Sequence, residues 1–377
     1  MTKPTVITIV GTRPEIIRLS RVMARLDIVA NHILVHTGQN YDRQLNEVFF
    51  DELGVRAPDH YLNVDTSTLG SVLGDTMTKA AALFTELKPD AVLILGDTNS
   101  GMAAIVAKRM HIPVYHMEAG NRSFDENVPE ETNRRVIDHV SDFNLPYGLH
   151  AQRNLLNEGL HPRRIMMSGS PMREILDFYR DKIDASTVLD TLGVEAGRFF
   201  LVSAHRQENV DEPSRLVELL KTLQAVHDRW KLPVFVSTHP RTRARLAGLP
   251  EYENLTGVVF HEPFGFFDYN KLQLTAKCVI SDSGTISEES AILGFPAITI
   301  RDSMERPEAL DTGTMIMTGL TADQVLLGIE EATSTDYAFP PEIPEPYQVA
   351  DTSRRVVRFI LSTVGRHHEW AGIRGVR

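Results

Sequence analysis

Short apolar runs and amphipathic helical segments alternate along this chain, and this alternation restricts the fold more than any other feature of the sequence. A β-branched run at residues 5–11 is followed by a segment with helical periodicity, and the same pair recurs through most of the chain. Strands that are each followed by a helix form a parallel sheet covered by helices on both faces. We therefore expect an α/β protein built from doubly wound, Rossmann-like domains.

The alternation occurs in two series, which predicts two domains. At 377 residues the chain is long enough for two hydrophobic cores. A Gly-Ser-Pro sequence at 169–171 separates an N-terminal domain at 1–170 from a C-terminal domain at 171–349. The amphipathic segment within 350–377 is predicted to form a helix that packs back on the N-terminal domain. Two such domains facing each other across a cleft would bring their polar edges together.

Three acidic residues of the first domain follow apolar strands or begin a helix. Asp97 comes directly after one apolar run, and Glu118 comes directly after the next. Glu130 follows a proline and lies in the first turn of the next predicted helix. The carboxyl ends of parallel strands meet at the edge where open α/β sheets bind ligands. Three carboxylates at one edge are unfavourable to bury unless a ligand uses them, which favours function over an ordinary surface role.

The second domain offers a site for a diphosphate. The sequence DSGTISEE begins a helix after an apolar strand, so the backbone N–H groups of residues 283–285 can hold an anion. His205 and Arg206 follow another strand and add positive charge. Aromatic residues at 264–269 offer a surface for stacking a base, although each of them also fits a core position. A nucleoside diphosphate conjugate held between basic residues and carboxylates satisfies these features together.

Composition and missing motifs exclude several classes of protein. A net charge of −11 argues against nucleic acid binding, which shows as excess Lys and Arg. The sequence has no Walker A motif and no GxGxxG after the first strand, so neither a P-loop ATPase nor an NAD enzyme is supported. Cys278 is the lone cysteine, and the histidines show no metal-ligand spacing. We expect a cytoplasmic protein with no membrane insertion, no metal and no cofactor.

Nine motifs, in order over nearly the whole chain, resemble those of the non-hydrolysing UDP-N-acetylglucosamine 2-epimerase family. They are GTRPEIIR, HTGQNYD, LGDTNS, HMEAGNRSFDENVPEETNRR, GSPM, SAHRQEN, STHPRTR, SDSGTISEES and RDSMERPEALDTGT. The resemblance implies a fold of the glycosyltransferase-B type, an active site in the cleft between two Rossmann-like domains, and a homodimer. It also implies an isomerase that epimerises C2 of a UDP-sugar by eliminating UDP to a 2-acetamidoglycal and adding it back.

The matching positions imply a role for each candidate residue. The catalytic positions of the family match Asp97, Glu118, Glu130 and His205. Glu289 is expected to bind the ribose hydroxyls, and Tyr269 lies at the position of the aromatic residue that stacks on uracil. The other positions predicted to bind the substrate are Arg13, Arg18, Arg206, His239, Ser283, Gly284 and Thr285. Which carboxylate serves which face of C2 stays open.

Two segments, VGTRPEIIRLSRVMARLD and GNRSFDENVPEE, are most similar to the family branch that makes UDP-N-acetyl-L-fucosamine. That branch epimerises UDP-2-acetamido-2,6-dideoxy-L-talose, in the synthesis of surface polysaccharide such as O-antigen or capsule. Arg18 stands where enzymes acting on UDP-N-acetylglucosamine commonly have lysine, and Thr285 stands where they have a second glycine. Arginine keeps the charge but changes the hydrogen-bond geometry. These departures count against the commonest substrate and leave the reaction class unchanged.

Other functions stay open beside the talose derivative. The same chemistry on UDP-N-acetylglucosamine would give UDP-N-acetylmannosamine. A glycosyltransferase of the same fold would bind a UDP-sugar and pass the sugar to an acceptor, and a non-catalytic sensor would bind it only. The clustered acids favour the epimerases, because a transferase of this fold can act with fewer acidic groups.

Overall fold

The computed structural model of the chain describes residues 3–38, 50, 52–238, 240–246, 249–334 and 342–374. Its contacts divide the chain into two units. The first unit comprises residues 1–177 and 348–377, and the second comprises residues 178–347. Each unit is a parallel α/β sheet with helices. The predicted class, two Rossmann-like doubly wound α/β domains, is confirmed.

The first unit contains a six-stranded parallel sheet. Its strands are β1 (Thr5–Val10), β2 (Asn31–His36), β3 (His60–Tyr61), β4 (Ala91–Leu95), β5 (Val114–Met117) and β6 (Phe143–Leu145). They lie side by side in the order β3-β2-β1-β4-β5-β6, and all pairs are parallel. The chain order reverses between β1 and β4. This reversal is the topological switch point at which open α/β sheets bind ligands.

Six helices of the first unit follow these strands along the described part of the chain. They are α1 (Arg13–Val29), α2 (Leu69–Leu87), α3 (Ala103–Arg109), α4 (Glu130–Val140), α5 (Leu149–Asn157) and α6 (Met172–Phe178), and short 3-10 helices occur at Asn99–Met102 and Pro162–Arg164. The start of α1 is set by its sequence: Thr12 is the N-cap, and Pro14 falls in the first turn, where a missing N–H is tolerated. Leu19 and Leu26 then face the core at helical spacing.

The second unit repeats the same topology. Its strands are β7 (Phe200–Ser203), β8 (Val234–Ser237), β9 (Val258–His261), β10 (Cys278–Ser281), β11 (Ala297–Thr299) and β12 (Ile316–Met317). The parallel order β12-β11-β10-β7-β8-β9 places the switch point between β7 and β10. Phe200 and Val202 belong to the core on one face of the sheet, and Leu201 belongs to the core on the other. Burial of both faces explains why the strands read as continuous apolar runs.

The helices of the second unit vary widely in length. Within the described residues they are α7 (Arg180–Asp184), α8 (Val188–Leu192), α9 (Gln207–Val210), α10 (Pro213–Trp230), α11 (Pro240–Leu246), α12 (Pro250–Glu253), α13 (Phe266–Thr275), α14 (Ile286–Leu293), α15 (Glu308–Asp311) and α16 (Ala322–Ala332). A 3-10 helix at Glu345–Tyr347 closes the unit. None of the helices in the described ranges has the length and apolar character needed to cross a bilayer.

Three short strands at the sheet edges were missed by the sequence-based prediction. The strands β3, β9 and β12 were not predicted, because runs of two to four residues at a sheet edge carry little periodic signal. The segment at 164–171, expected to continue the strand and helix alternation, forms only an isolated bridge between Ile165 and Asn144. Its Gly169 and Pro171 interrupt the regular pairing that a strand needs.

The C-terminal helices belong to the first unit. They are α17 (Thr352–Thr363) and α18 (His367–Ala371), joined by a 3-10 turn, and α17 packs against α1. Ser353 donates its backbone N–H to Glu174 Oε2 at 2.7 Å, and Thr363 Oγ1 lies 2.7 Å from the Tyr115 hydroxyl. Val356 and Ile360 are fully buried. The last turns of the chain therefore complete the core of the first unit.

We expect Ile360→Ala to destabilise the first unit by about 2–5 kcal/mol, because it leaves a cavity under α17. Urea unfolding followed by the fluorescence of Trp370 would measure this change in a Trp230→Phe background, since the chain has only these two tryptophans. The exposed Arg358 on the same helix provides the matched control, and Arg358→Ala should leave the midpoint unchanged. Equal midpoints for Ile360→Ala and the parent would show that α17 does not contribute to the core.

Candidate active site

A buried carboxylate holds the turn between β1 and α1. Glu15 Oε2 accepts hydrogen bonds from Gly11 N at 2.9 Å, from Thr12 N at 2.7 Å and from Thr12 Oγ1 at 2.8 Å. Its Oε1 accepts from Thr98 Oγ1 at 2.9 Å. Burial raises the pKa of Glu15 to about 7, although the hydrogen bonds act in the opposite direction. The half-buried Arg13 begins α1 directly after this turn.

The loops that follow β1, β2 and β4 meet at Gly11. A Cβ atom added to Gly11 would lie 2.0 Å from Ser100 Oγ and 2.3 Å from Thr37 Oγ1, so only glycine fits there. The Thr37 and Ser100 hydroxyls are themselves 3.0 Å apart. A layer of buried hydroxyls therefore joins the ends of three strands at the switch point.

Asp97 follows β4 and is held by an arginine of α4. Arg134 Nε and Nη2 lie 2.8 Å and 2.7 Å from Asp97 Oδ2, and Asn133 donates its side-chain N–H to the Asp97 carbonyl at 2.9 Å. The Asp97 side chain keeps 25% of its surface exposed. The carboxylate is therefore oriented by the protein and still accessible.

Glu118 follows β5 in a strained backbone conformation. Its φ of +64° lies in the left-handed region that non-glycine residues rarely adopt. The buried carboxylate pairs with Arg18 Nη1 of α1, and Asn121 donates to its other oxygen at 3.4 Å. A Cβ atom added to Gly96 would lie 3.6 Å from Glu118 Oε2. Because Gly96 precedes Asp97, two predicted acids and Arg18 lie at one edge of the sheet.

The third predicted acid, Glu130, is the first residue of α4 and is half-buried. Its neighbour Glu131 is buried and accepts from Ser123 N and Oγ at 3.0 Å each and from Arg134 Nη1 at 3.1 Å. Burial would raise the pKa of Glu131, but the hydrogen bonds from Ser123 and Arg134 outweigh it and lower this pKa. Glu131 therefore serves the structure of the loop before α4.

A buried ionic network supports the backbone after Glu118. Asp138 accepts from Gly120 N at 3.1 Å and from Arg122 Nη1 at 2.8 Å, and its Oδ1 lies 2.9 Å from His116 Nδ1. The other ring nitrogen of His116 lies 2.8 Å from the Gly96 carbonyl. Buried charges need such partners to be tolerated. His116 thus connects the strand ends that carry Asp97 and Glu118.

In the second unit, the buried Asp282 organises the ends of β7 and β10. It accepts hydrogen bonds from the backbone N–H groups of His205 and Arg206 at 3.0 Å and from Asn209 Nδ2 at 3.0 Å. His205 Nδ1 lies 3.4 Å from Asp282 Oδ1, and the imidazole is about half exposed at 48%. Asp282 therefore positions two residues that the sequence predicted, although it was not itself predicted.

The small residues after Asp282 pack closely on arginine and glutamate side chains. A Cβ atom added to Gly284 would lie 2.8 Å from Glu305 Oε1 and 3.1 Å from Arg306 Nη1, so these two side chains would have to shift to admit it. Arg306 donates to the Gly284 carbonyl, and Arg206 Nη2 donates to Glu305 at 3.3 Å. The hydroxyls of Ser283 and Thr285 are 2.9 Å apart at the start of α14. This loop brings its backbone close to the Arg206 guanidinium.

Glu289 and Tyr269 lie deeper in the second unit. Glu289 is buried and accepts from Gln273 Nε2 at 2.5 Å. Tyr269 is half-buried; burial raises the pKa of its hydroxyl, which hydrogen-bonds with Ser203 and Ser281. Of the aromatic residues predicted as a stacking surface, Phe264 and Phe266 are buried in the core. His239, a predicted substrate-binding residue, lies outside the described residues.

Several residues at the carboxyl ends of the two sheets were not predicted from the sequence. They are Glu15, Arg122, Arg134, Asp138, Asp282, Glu305 and Arg306. Only Glu15 carried a local signal, the capping-box spacing from Thr12. Among the described residues, no cluster of three or more His, Cys, Asp or Glu side chains is placed to hold a metal ion.

An open groove of about 1160 Å³ lies at the other edge of the first sheet, where Pro4, Pro89 and Pro113 precede strands. Lys3, which lines it, donates to the Ile28 carbonyl at 2.7 Å. His368 Nε2 lies 2.8 Å from the His111 carbonyl. These polar groups serve the fold, and the groove is remote from the switch-point edge.

Each Rossmann-like unit carries polar groups at its switch point: acids in the first unit, and arginines with small residues in the second. These features are those of an α/β enzyme of the glycosyltransferase-B type. Residues 25–361 match the family model described as UDP-N-acetylglucosamine 2-epimerase. The chain belongs to this family, and its members are isomerases.

Known proteins share both the sequence and the fold. A structure of UDP-N-acetylglucosamine 2-epimerase from Rickettsia bellii is 44% identical, with a TM-score of 0.91 over 97% of this chain and 98% of that one. The Methanocaldococcus jannaschii enzyme in complex with UDP-GlcNAc and UDP is 30% identical, with a TM-score of 0.89 over 95% of this chain and 99% of that one. The UDP-2,3-diacetamido-2,3-dideoxy-D-glucuronate 2-epimerase of Pseudomonas aeruginosa is 32% identical over 85% of this chain and 90% of its own length.

The raised pKa of Glu15 makes the stability of the first unit depend on pH. Protonated Glu15 is favoured by folding, so its contribution is complete below pH 4.5 and is lost as the pH rises through about 7. The full change is about 3 kcal/mol. We expect the parent to lose this much relative to Glu15→Gln between about pH 5 and pH 8. Urea unfolding at several pH values, followed by Trp370 in the Trp230→Phe background, would measure it.

Buried histidines change stability over part of the same range. The pKa values of His36 and His367 are lowered to about 4 by burial, so they oppose folding as the pH falls below 6.5. Both histidines are present in the parent and in Glu15→Gln, so the difference between the two proteins isolates Glu15. Parallel pH profiles would show that Glu15 does not titrate near pH 7.

Proposed function

We propose that this chain, a UDP-sugar 2-epimerase by family, converts UDP-2-acetamido-2,6-dideoxy-L-talose to UDP-N-acetyl-L-fucosamine. The observation that carries the epimerase function is the pair of acids at the switch point of the first unit. Asp97 and Glu118 end neighbouring strands, and each contacts a guanidinium group, of Arg134 and Arg18 respectively. The family membership gives these acids a sugar nucleotide as substrate.

The reaction explains why acids are needed beside the sugar. The C2 proton is not next to a carbonyl, so its removal alone would leave an unstabilised carbanion. In the proposed step a carboxylate takes the C2 proton while the bond from C1 to the UDP oxygen breaks. Its electron pair leaves with UDP, and the product is a 2-acetamidoglycal. UDP then adds back to C1 as a proton reaches the opposite face of C2, which requires acid and base groups near C2.

The first unit supplies the proton-transfer groups in this proposal. Asp97 is accessible, and Arg134 fixes its orientation through Oδ2. The Glu118 carboxylate is buried and pairs with Arg18. Glu130, half-buried at the start of α4, is the third acid. Arg13 and Arg18 also add positive charge for the diphosphate.

The second unit supplies the groups that hold the leaving UDP. The backbone N–H of Gly284 and the Arg206 guanidinium bind the diphosphate, since such donors stabilise the charge that develops on departure. The N–H groups of Ser283 and Thr285 donate to Ser281 Oγ at 3.0 Å and to Ser283 Oγ at 3.3 Å. The accessible imidazole of His205 also interacts with the diphosphate. Glu289 binds the ribose hydroxyls, and the half-buried Tyr269 stacks on uracil.

The two departures from the commonest family pattern, Arg18 and Thr285, count against UDP-N-acetylglucosamine as the substrate. Arg18 replaces a lysine and contacts Glu118, so the change affects a residue beside a proposed acid. A second candidate substrate is UDP-N-acetylglucosamine, which is favoured by the name of the 44% identical Rickettsia bellii protein. The Pseudomonas aeruginosa relative carries the name of a third UDP-acetamido sugar. Substrate choice therefore varies among named relatives.

We also propose a cytoplasmic homodimer that makes a precursor of surface polysaccharide, as in the family it resembles. A glycosyltransferase is the alternative from another class. A Rickettsia africae glycosyltransferase structure is 12% identical with a TM-score of 0.55, a likeness that concerns the fold alone. Sedimentation velocity at several protein concentrations would test the dimer.

Proton NMR in deuterated water separates the candidate substrates. With UDP-2-acetamido-2,6-dideoxy-L-talose we expect the C2 proton signal to disappear as a new epimer forms, because the returning proton comes from solvent-exchanged groups. Parallel samples with UDP-N-acetylglucosamine should show no exchange. Exchange with UDP-N-acetylglucosamine alone would show that this sugar, the second candidate, is the substrate. Absence of exchange with both sugars would contradict C2 epimerisation of either one.

Neutral replacements of the acids should separate catalysis from binding. We expect Asp97→Asn and Glu118→Gln each to lower kcat by roughly 100-fold or more, the range for a lost general acid or base. UDP binding, measured by calorimetry, should stay near that of the parent. Glu86→Gln, an exposed change on α2, is the matched control. Equal losses of UDP affinity and turnover would count against a catalytic role.

A further inference from the structure

Glu15 joins two turns that the proposed reaction uses. Its Oε2 accepts the N–H groups of Gly11 and Thr12, which precede Arg13. Its Oε1 accepts the hydroxyl of Thr98, which directly follows Asp97. The side chain is buried, with 2% of its surface exposed. One carboxylate therefore spans the switch point, from the end of β1 to the end of β4.

A helix cap alone does not account for this arrangement. The capping box between Thr12 and Glu15 is made by Oε2, which also satisfies the N–H of Gly11. The second oxygen is left for a residue 83 positions away in the sequence. Thr98 in turn accepts from Ser100 N at 3.2 Å and caps the 3-10 helix at Asn99–Met102. The hydrogen bond between Glu15 and Thr98 therefore supports the whole turn that begins with Asp97.

The chemistry of the four donors explains why a side chain with two polar atoms at its end suits this position. Two backbone N–H groups and two hydroxyls point at Glu15. A carboxyl group has two oxygens that can accept, whereas an amide accepts at only one. Buried donors without an acceptor are strongly unfavourable. With glutamine at this position, the oxygen would serve the Gly11 and Thr12 donors, and its NH₂ would donate to the Thr98 hydroxyl, which can also accept.

We propose that Glu15 is a positioning residue that holds Asp97 in its reactive orientation through Thr98, an inference that rests on the proposed epimerase function. Glu15 itself is too deeply buried to contact a ligand. Arg134 holds the Asp97 carboxylate from α4, and Glu15 holds the backbone that follows it from α1. Two supports from different helices fix one acid.

A double-mutant cycle on Glu15 and Thr98 tests this link. Glu15→Ala and Thr98→Val should each lower kcat for C2 deuterium incorporation by roughly 10- to 100-fold, the loss expected from a misplaced catalytic group. The double variant should be no worse than Glu15→Ala, because that change already removes the contact that Thr98→Val removes. KM and UDP affinity should change little in Thr98→Val, which leaves the turn before Arg13 intact. Glu15→Gln and Thr98→Ser, which keep a hydrogen bond, should retain most of the parent's kcat.

A matched control comes from the opposite edge of the same sheet. Asp90 Oδ2 accepts the backbone N–H of Thr5 at 2.7 Å, so Asp90→Ala also removes a bond from a carboxylate to a backbone N–H. This variant should lose stability and keep kcat. If it lost as much kcat as Glu15→Ala, or if the losses of Glu15→Ala and Thr98→Val were additive, the positioning role would be overturned.

Hydrogen exchange gives a readout that does not need turnover. Faster amide exchange at residues 97–102 in Glu15→Ala, which keeps the Thr98 cap on Ser100 N, with residues 5–10 unchanged, is the result expected from the lost link. Unchanged exchange at 97–102 would overturn the link whatever the activity. If the parent protein turned over neither sugar, the epimerase function would fail and the positioning role in it would be withdrawn. The exchange data would still decide whether the Glu15 to Thr98 contact orders this turn.

Discussion

Buried carboxylates must be given hydrogen-bond donors or positive partners, and the functional edges of this protein are built around that requirement. Removing a charge from water is unfavourable by several kcal/mol or more unless the protein replaces the lost contacts. In the first unit Arg18 compensates Glu118 and Arg122 compensates Asp138. Asp97 contacts Arg134. The arginines come from helices and loops that are distant in sequence, so the fold must be complete before the acids are stable.

In both units a buried carboxylate joins two neighbouring strand ends at the switch point. In the first unit Glu15, from α1, accepts the N–H groups that follow β1 and reaches Thr98 after β4. In the second unit Asp282, at the end of β10, accepts the N–H groups of His205 and Arg206 after β7. Each carboxylate therefore joins the first and fourth strands of its sheet. The shared strand order places these strands side by side, and an acceptor-only group suits the N–H donors found there.

The acids that support the fold differ from the proposed catalytic acids in how much of the carboxylate remains accessible to a ligand. Glu131 and Asp282 are enclosed and accept several hydrogen bonds from the protein. Asp97 keeps a quarter of its side-chain surface exposed. Glu118 is buried, but its left-handed backbone directs the residue away from the regular course of the strand. A proton can be exchanged with a substrate only where a carboxylate is not fully used by the fold.

The sequence by itself determined the α/β class, the apolar strands of both sheets and the polar residues that follow them. Burial of both faces of a parallel strand leaves a continuous apolar run, and this signal is local. The sequence also gave the order of the family motifs, which the family match supports. Short edge strands such as β9 were missed, because few residues there are periodic.

Only the tertiary structure decided which groups pair at the strand ends. Arg18 and Glu118 are 100 positions apart, and Glu15 and Thr98 are 83 apart, so no periodic pattern relates them. Asp282 is one acid among many in the sequence until the fold places the N–H groups of His205 and Arg206 against it. Periodicity reports which face of an element is buried. The partner of each polar group depends on how elements distant in the chain pack together, and that is a property of the folded molecule alone.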